Sequence, residues 1–91
     1  MKKFVVERTI PGAGNMSPEE LQSFSYYACH IIDLLDKPYY WVQSYVTEDK
    51  IYCIHIAESE EQVREHAMLS NFPVNAIAEV KTIIDPVTGN K

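Results

Sequence analysis

Cys53, His55 and His66 are the side chains best suited to chemistry in this sequence. They fall within one stretch, Trp41 to Ala67, that reads WVQSYVTEDKIYCIHIAESEEQVREHA. Cys53 and His55 stand two apart in a segment rich in β-branched residues, so on a strand both side chains point to one face. A thiolate beside an imidazole is half of a soft metal site, suited to nickel, zinc or copper. No second C-x-H pair completes four ligands. The plainer reading is a small cysteine packed in the sheet, with His55 at a sheet edge or an interface.

His66 lies three residues after Val63 and one before Ala67, at the border of the buried stripe of a helix. A histidine held between core and solvent can coordinate metal, shuttle protons or bind a carboxylate, and flanking Arg64 and Glu65 can tune it. It can equally be a boundary histidine bonded to a backbone carbonyl. Glu7 and Arg8 project to opposite faces of the first strand. Glu7 is a candidate cation ligand, or else one half of an ion pair with Lys81, while Arg8 suits a helix carboxylate. His66, Cys53, His55 and Glu7 therefore form the candidate metal set. Trp41, Tyr45 and Tyr52 are candidate walls of a ligand pocket, and Arg64 is a clamp for an anionic ligand unless it pairs with Glu60. Tyr26, His30 and Asp33 form a row on the first helix that reads either as a secondary metal site or as a solvated face.

The elements that must position these residues are marked by their punctuation. Lys3 to Ile10 reads as a strand closed by Pro11-Gly12, and Gly12 to Asn15 as a turn. Ser17-Pro18-Glu19-Glu20 is a helix start with a cap, a proline at the first helical position and a capping box. Leu21, Phe24, Ala28, Ile31, Ile32 and Leu35 follow at helical spacing, and the helix stops before Pro38. Tyr39–Val46 and Ile51–Ala57 read as a hairpin around Glu48-Asp49. Ser59, with Gln62 three residues on, caps a second helix that ends before Asn71-Phe72-Pro73. Glu79–Ile84 reads as the last strand. The order β-α-β-β-α-β over residues 1–91 predicts one ferredoxin-like α+β domain, a four-stranded antiparallel sheet with both helices on one face.

A hairpin paired about Glu48-Asp49 puts Trp41, Tyr45, Tyr52, Ile54 and Ile56 on one face, and Val42, Val46, Ile51 and Cys53 on the other. Both faces are then apolar, and the helices cover only one. A homodimer through the free sheet face is the expectation, as in a dimeric α/β barrel. Acidic residues outnumber basic ones by 13 to 8, for a net charge of -5, which argues against a nucleic-acid backbone binder but not against cations. No apolar run suits a membrane span or signal peptide, and two cysteines inside periodic elements fit a reducing, cytoplasmic setting.

Glu7-Arg8 with Pro11–Gly14, Trp41 with Ser44–Thr47, Asp49-Lys50, Tyr52-Cys53, Arg64–Ala67, Phe72-Pro73 and Ile84–Pro86 together resemble a small bacterial family of nickel-binding or nickel-responsive proteins. The resemblance implies a ferredoxin-like fold, dimerisation through the sheet, and nickel or another divalent transition metal as ligand, with no organic cofactor expected. The function it implies is metal sequestration or response in the cytoplasm. The alternative is a cofactor-independent dimeric α/β-barrel enzyme of the monooxygenase or isomerase kind, or a small-molecule-binding protein. In the enzyme, His66 would serve as general base, Arg64 or Glu7 would orient the substrate, and Trp41 and Tyr45 would form the walls.

Overall fold

A computed structural model describes residues 1–90. Its elements are β1 (Lys2–Thr9), α1 (Pro18–Leu35), β2 (Tyr39–Val46), β3 (Lys50–Ala57), α2 (Glu60–Ser70) and β4 (Ala76–Glu79), with short 3-10 turns at Ala13–Asn15 and Pro86–Gly89. The strands form one antiparallel sheet in the order β2-β3-β1-β4, the ferredoxin-like arrangement.

Each helix starts where its cap is written. The Ser17 side chain accepts from the Glu20 amide while the Glu20 carboxylate accepts from the Ser17 amide, and Pro18 opens the helix without losing a needed donor. α1 ends at Asp36, whose φ of 51° is left-handed, just ahead of Pro38. Ser59 accepts from the Gln62 amide, but the Gln62 side chain turns to the Glu58 amide, so α2 has the cap without the reciprocal bond of a full box.

Ala28, Ile31 and Leu35 of α1 and Val63, His66 and Ala67 of α2 are buried against Phe4, Val6 and Arg8 of β1 and Ile51, Cys53, His55 and Ala57 of β3. That strict alternation on β3 is the period-two pattern of a sheet covered on one side by helices. The other face shows Val5, Glu7, Tyr52, Ile54 and Ile56 half-buried, beside exposed Tyr40 and Tyr45.

Two strand expectations are corrected. Trp41 does not share the face of Tyr45 and Tyr52, because a register shift between Trp41 and Gln43 inserts Val42 as an extra residue and puts Trp41 opposite His55 on the helix side. The last strand is Ala76–Glu79, not Glu79–Ile84. β4 pairs with Phe4–Glu7, and its final ladder bond runs from the Val80 amide to the Lys3 carbonyl. Beyond Val80 the chain runs past the start of β1, so β-branched Thr82, Ile83 and Ile84 have nothing left to pair with. Ile83, Ile84 and Val87 consequently stand largely exposed.

The loop after β1 is stitched to the hairpin tip. The Ile10 amide donates to the Asp49 carbonyl, the Gly12 amide to the Asp49 side chain, and the Gly14 amide to the Glu48 carbonyl. Gly12 takes a φ of 77°, which glycine reaches without strain. At Gly14 a Cβ would meet the Glu48 Cα at 3.0 Å, so the two backbones can touch only because the side chain is missing.

Candidate functional site

Arg8, Cys53, His55 and His66 meet between the sheet and the helices, walled by Phe24, Ala28, Trp41 and Phe72 around a cavity of about 10 Å³. Cross-strand register explains the meeting: Val6 faces Cys53 and Arg8 faces Ile51, so Arg8 and Cys53 are diagonal neighbours on the helix side.

Arg8 is 1% exposed, yet it joins none of the ion pairs among the described residues. Its Nε donates to Cys53 Sγ at 3.4 Å and its Nη1 to the Pro73 carbonyl at 3.0 Å, while its guanidinium carbon lies 5.4 Å from the Phe72 ring centroid. Burial keeps the Tyr39 phenol protonated, well above its ordinary range, although the Arg8 charge pulls the other way. The phenol therefore donates to His55 Nδ1, at 2.6 Å. His55 is pushed down to about 3, first by burial and then by the nearby His66 and Arg8.

His66 Nε2–H donates to the Ala28 carbonyl at 3.2 Å, and since a carbonyl can only accept, this bond fixes the tautomer. The Nδ1 lone pair is then left bare. It is fully buried and has no hydrogen-bond partner among the described residues. Burial, with the Arg8 charge adding to it, holds the ring below the usual histidine range, although the Ala28 bond partly opposes this. The ring stacks on Tyr39 at 5.2 Å between centroids and lies 5.4 Å from His55.

The structure thus brings together His66, Cys53 and His55, and places Trp41 with them. Glu7 points to the opposite face, where its carboxylate accepts from Lys50 Nζ at 3.3 Å, and Lys81 pairs with Glu79 instead. Tyr45 and Tyr52 are on that opposite face as well. Arg64 lies on the surface of α2, bonded to Glu60 at 2.9 Å, so neither Arg64 nor Glu7 can orient a molecule beside His66. His30, Asp33 and Tyr26 form an exposed face of α1. Sequence reasoning missed two members of the cluster, Arg8 and Tyr39. Their signal was the shared parity of Arg8 with Val6 and Phe4, and of Tyr39 with Trp41, once the register is known.

Neutral imidazoles and a thiol are competent nickel donors, and the bare His66 Nδ1 is an unused one. Even so, the described residues hold no group of three or more His, Cys, Asp or Glu side chains spaced to take a metal ion. The Arg8 guanidinium already sits against the Cys53 sulfur, where it would repel a cation. The interior does not fit a nickel ion.

Residues 4–80 match the nickel responsive protein SCO4226-like family. The chain belongs to this family. The solved structure of SCO4226 from Streptomyces coelicolor A3(2) is similar, with a TM-score of 0.76 over 90% of this chain and 99% of that one. At 16% identity, that likeness establishes the fold alone. No curated protein matches the chain. No helix among the described residues is long and apolar enough to cross a membrane.

Proposed function

We propose that this protein is a cytoplasmic homodimer that binds and responds to nickel without carrying out a chemical step. The match of residues 4–80 to a nickel-responsive family carries the reading. Two free cysteines suit a reducing compartment. The dimer is supported by the uncovered sheet face, where Val5, Tyr52, Ile54 and Ile56 are flanked by exposed Tyr40 and Tyr45. Neither the interior nor the surface of the described residues holds a three-ligand set, and of the candidate donors only the exposed ones are open to an ion from solution. His30 is the one exposed imidazole among the described residues, and Asp33 lies three residues further along the same helix.

Untagged, metal-free protein tests both halves of the reading. Sedimentation should show a dimer that Ile54→Lys converts to a folded monomer. Elemental analysis after nickel loading and desalting should show bound nickel that is lost in His30→Ala and kept in His66→Ala. A monomeric wild-type protein would overturn the dimer. Nickel no higher than in the buffer would overturn the metal reading, and loss on His66→Ala alone would move the ion into the interior.

A further inference from the structure

Beyond β4 the chain leaves the body of the domain as an arm. Among the described residues, its last hydrogen bond to the sheet is from the Val80 amide to the Lys3 carbonyl. Lys81 reaches back to Glu79, and the remaining bonds only close the turn from Asp85 to Asn90 on itself. Yet Thr82-Ile83-Ile84 is a run of β-branched residues, and Ile83, Ile84 and Val87 are 67%, 76% and 72% exposed. The radius of gyration is 14.2 Å, against about 12 Å for a compact chain of this length, as an arm standing off the core requires.

The far edge of the sheet has the complementary lack. β2 is the outer strand of the order β2-β3-β1-β4, and among the described residues no strand lies beyond it. Its eight residues, YYWVQSYV, include no charge and no proline, the residues that usually keep an open edge from pairing. The bulge at Val42 interrupts it at one point and leaves residues 43–46 as regular strand. Tyr40, Val42, Tyr45 and Val46 are exposed along it.

The arm cannot reach the β2 of its own chain. Three strand spacings, about 14 Å, separate β4 from β2, and four extended residues span only about 13 Å. Neither can the arm be satisfied by lying flat on a sheet face. Ile83 and Ile84 are adjacent, so in extended chain they point to opposite sides, and flat docking would bury only one. Both are covered only where the arm is itself a strand in a layered sheet.

We propose that residues 81–84 of one copy add as a strand to the free β2 edge of a second copy. Two-fold symmetry makes the second arm do the same in return, so both edges are used and no end stays open for fibre growth. The proposal rests on the homodimer reading above and names the segment that fastens it.

Sedimentation equilibrium on the full chain tests it. Ile83→Asp together with Ile84→Asp should raise the dimer dissociation constant about a hundredfold or more, whereas Ile83→Val together with Ile84→Val should keep the dimer. Both positions are exposed in the subunit, so the fold itself is not at risk. Dimers mixed from isotope-labelled and unlabelled protein should show nuclear Overhauser contacts between the Ile83 and Ile84 methyls and residues 43–46 across the two copies. If the aspartate variant dimerises with wild-type affinity while Ile54→Lys is monomeric, the arm proposal falls and the sheet-face dimer stands. A wild-type dimer whose arm shows no contact with residues 43–46 of the other copy would overturn it as well. A monomeric wild type would take down both readings.

Discussion

Arg8 and Glu7 are adjacent in sequence and face opposite sides of the sheet. Glu7 sits on the open face within 3.3 Å of Lys50, both of them partly reachable by water. Arg8 sits on the helix face, 1% exposed, with a thiol, a carbonyl and an aromatic ring for company and no opposing charge. The open face keeps its charges neutralised and hydrated, at little cost. The helix face collects a cation, two imidazoles, a phenol and a thiol inside the core, where a set of apolar residues would hold the fold better. Stability alone does not account for that choice.

The contrast can be broken most strongly at Phe4 and Val5, neighbours on the two faces. Phe4→Ala should cost about 3–5 kcal/mol in denaturant unfolding, because Phe4 is buried in the core cluster. Val5→Ala should cost well under that, because Val5 is only half-buried on the open face. Equal costs would mean that the two faces are equally buried in the subunit.

Acid comes next. His55 is neutral in the folded state down to about 3, whereas in the unfolded chain it protonates near pH 6.5. The unfolded state therefore gains protons first, and stability falls as pH drops from about 6.5 toward 3, by on the order of 4 kcal/mol. His66, also held low, adds in the same direction. Unfolding measured between pH 7 and 4 should show this loss, and His55→Phe should reduce it. A flat profile would mean that the histidines are solvated.

Tyr39→Phe should cost about 1–3 kcal/mol, by leaving His55 Nδ1 buried without its donor. It should also raise the pH at which acid unfolding begins, and His55 resonances in an NMR titration would report both effects. Smallest of all is Glu7→Gln, expected to change stability by less than about 1 kcal/mol and to do so only at low salt. A larger, salt-independent loss would show that the open face is dry even in the monomer.

Much of this fold is legible in the residues. Ser17 and Glu20 mark the start of α1, Ser59 that of α2, and the alternation of Ile51, Cys53, His55 and Ala57 gives the buried side of β3. β4 was missed because Ala76-Ile77-Ala78-Glu79 carries little strand preference, while Thr82-Ile83-Ile84 carries much and lies beyond the end of its partner. The face of Trp41 is not legible, because one inserted residue at Val42 inverts the parity and the side-chain types do not signal a bulge. The site was half legible. Cys53, His55 and His66 announce themselves by type, but the Arg8–Cys53 contact depends on which residues of β1 and β3 stand opposite each other. That is a non-local fact.

The bare Cα at position 14 has a consequence far from its own loop. A strand that slipped by a single step would rotate every side chain on it through half a turn, exposing Arg8 to water and driving Glu7 into the protein. Seating the Gly14 amide on the hairpin tip makes such a slip break three hydrogen bonds at once, two to backbone carbonyls and one to the Asp49 side chain. The smallest residue in the chain thereby acts as a keyway, deciding from a distance which side of the sheet carries the chemistry.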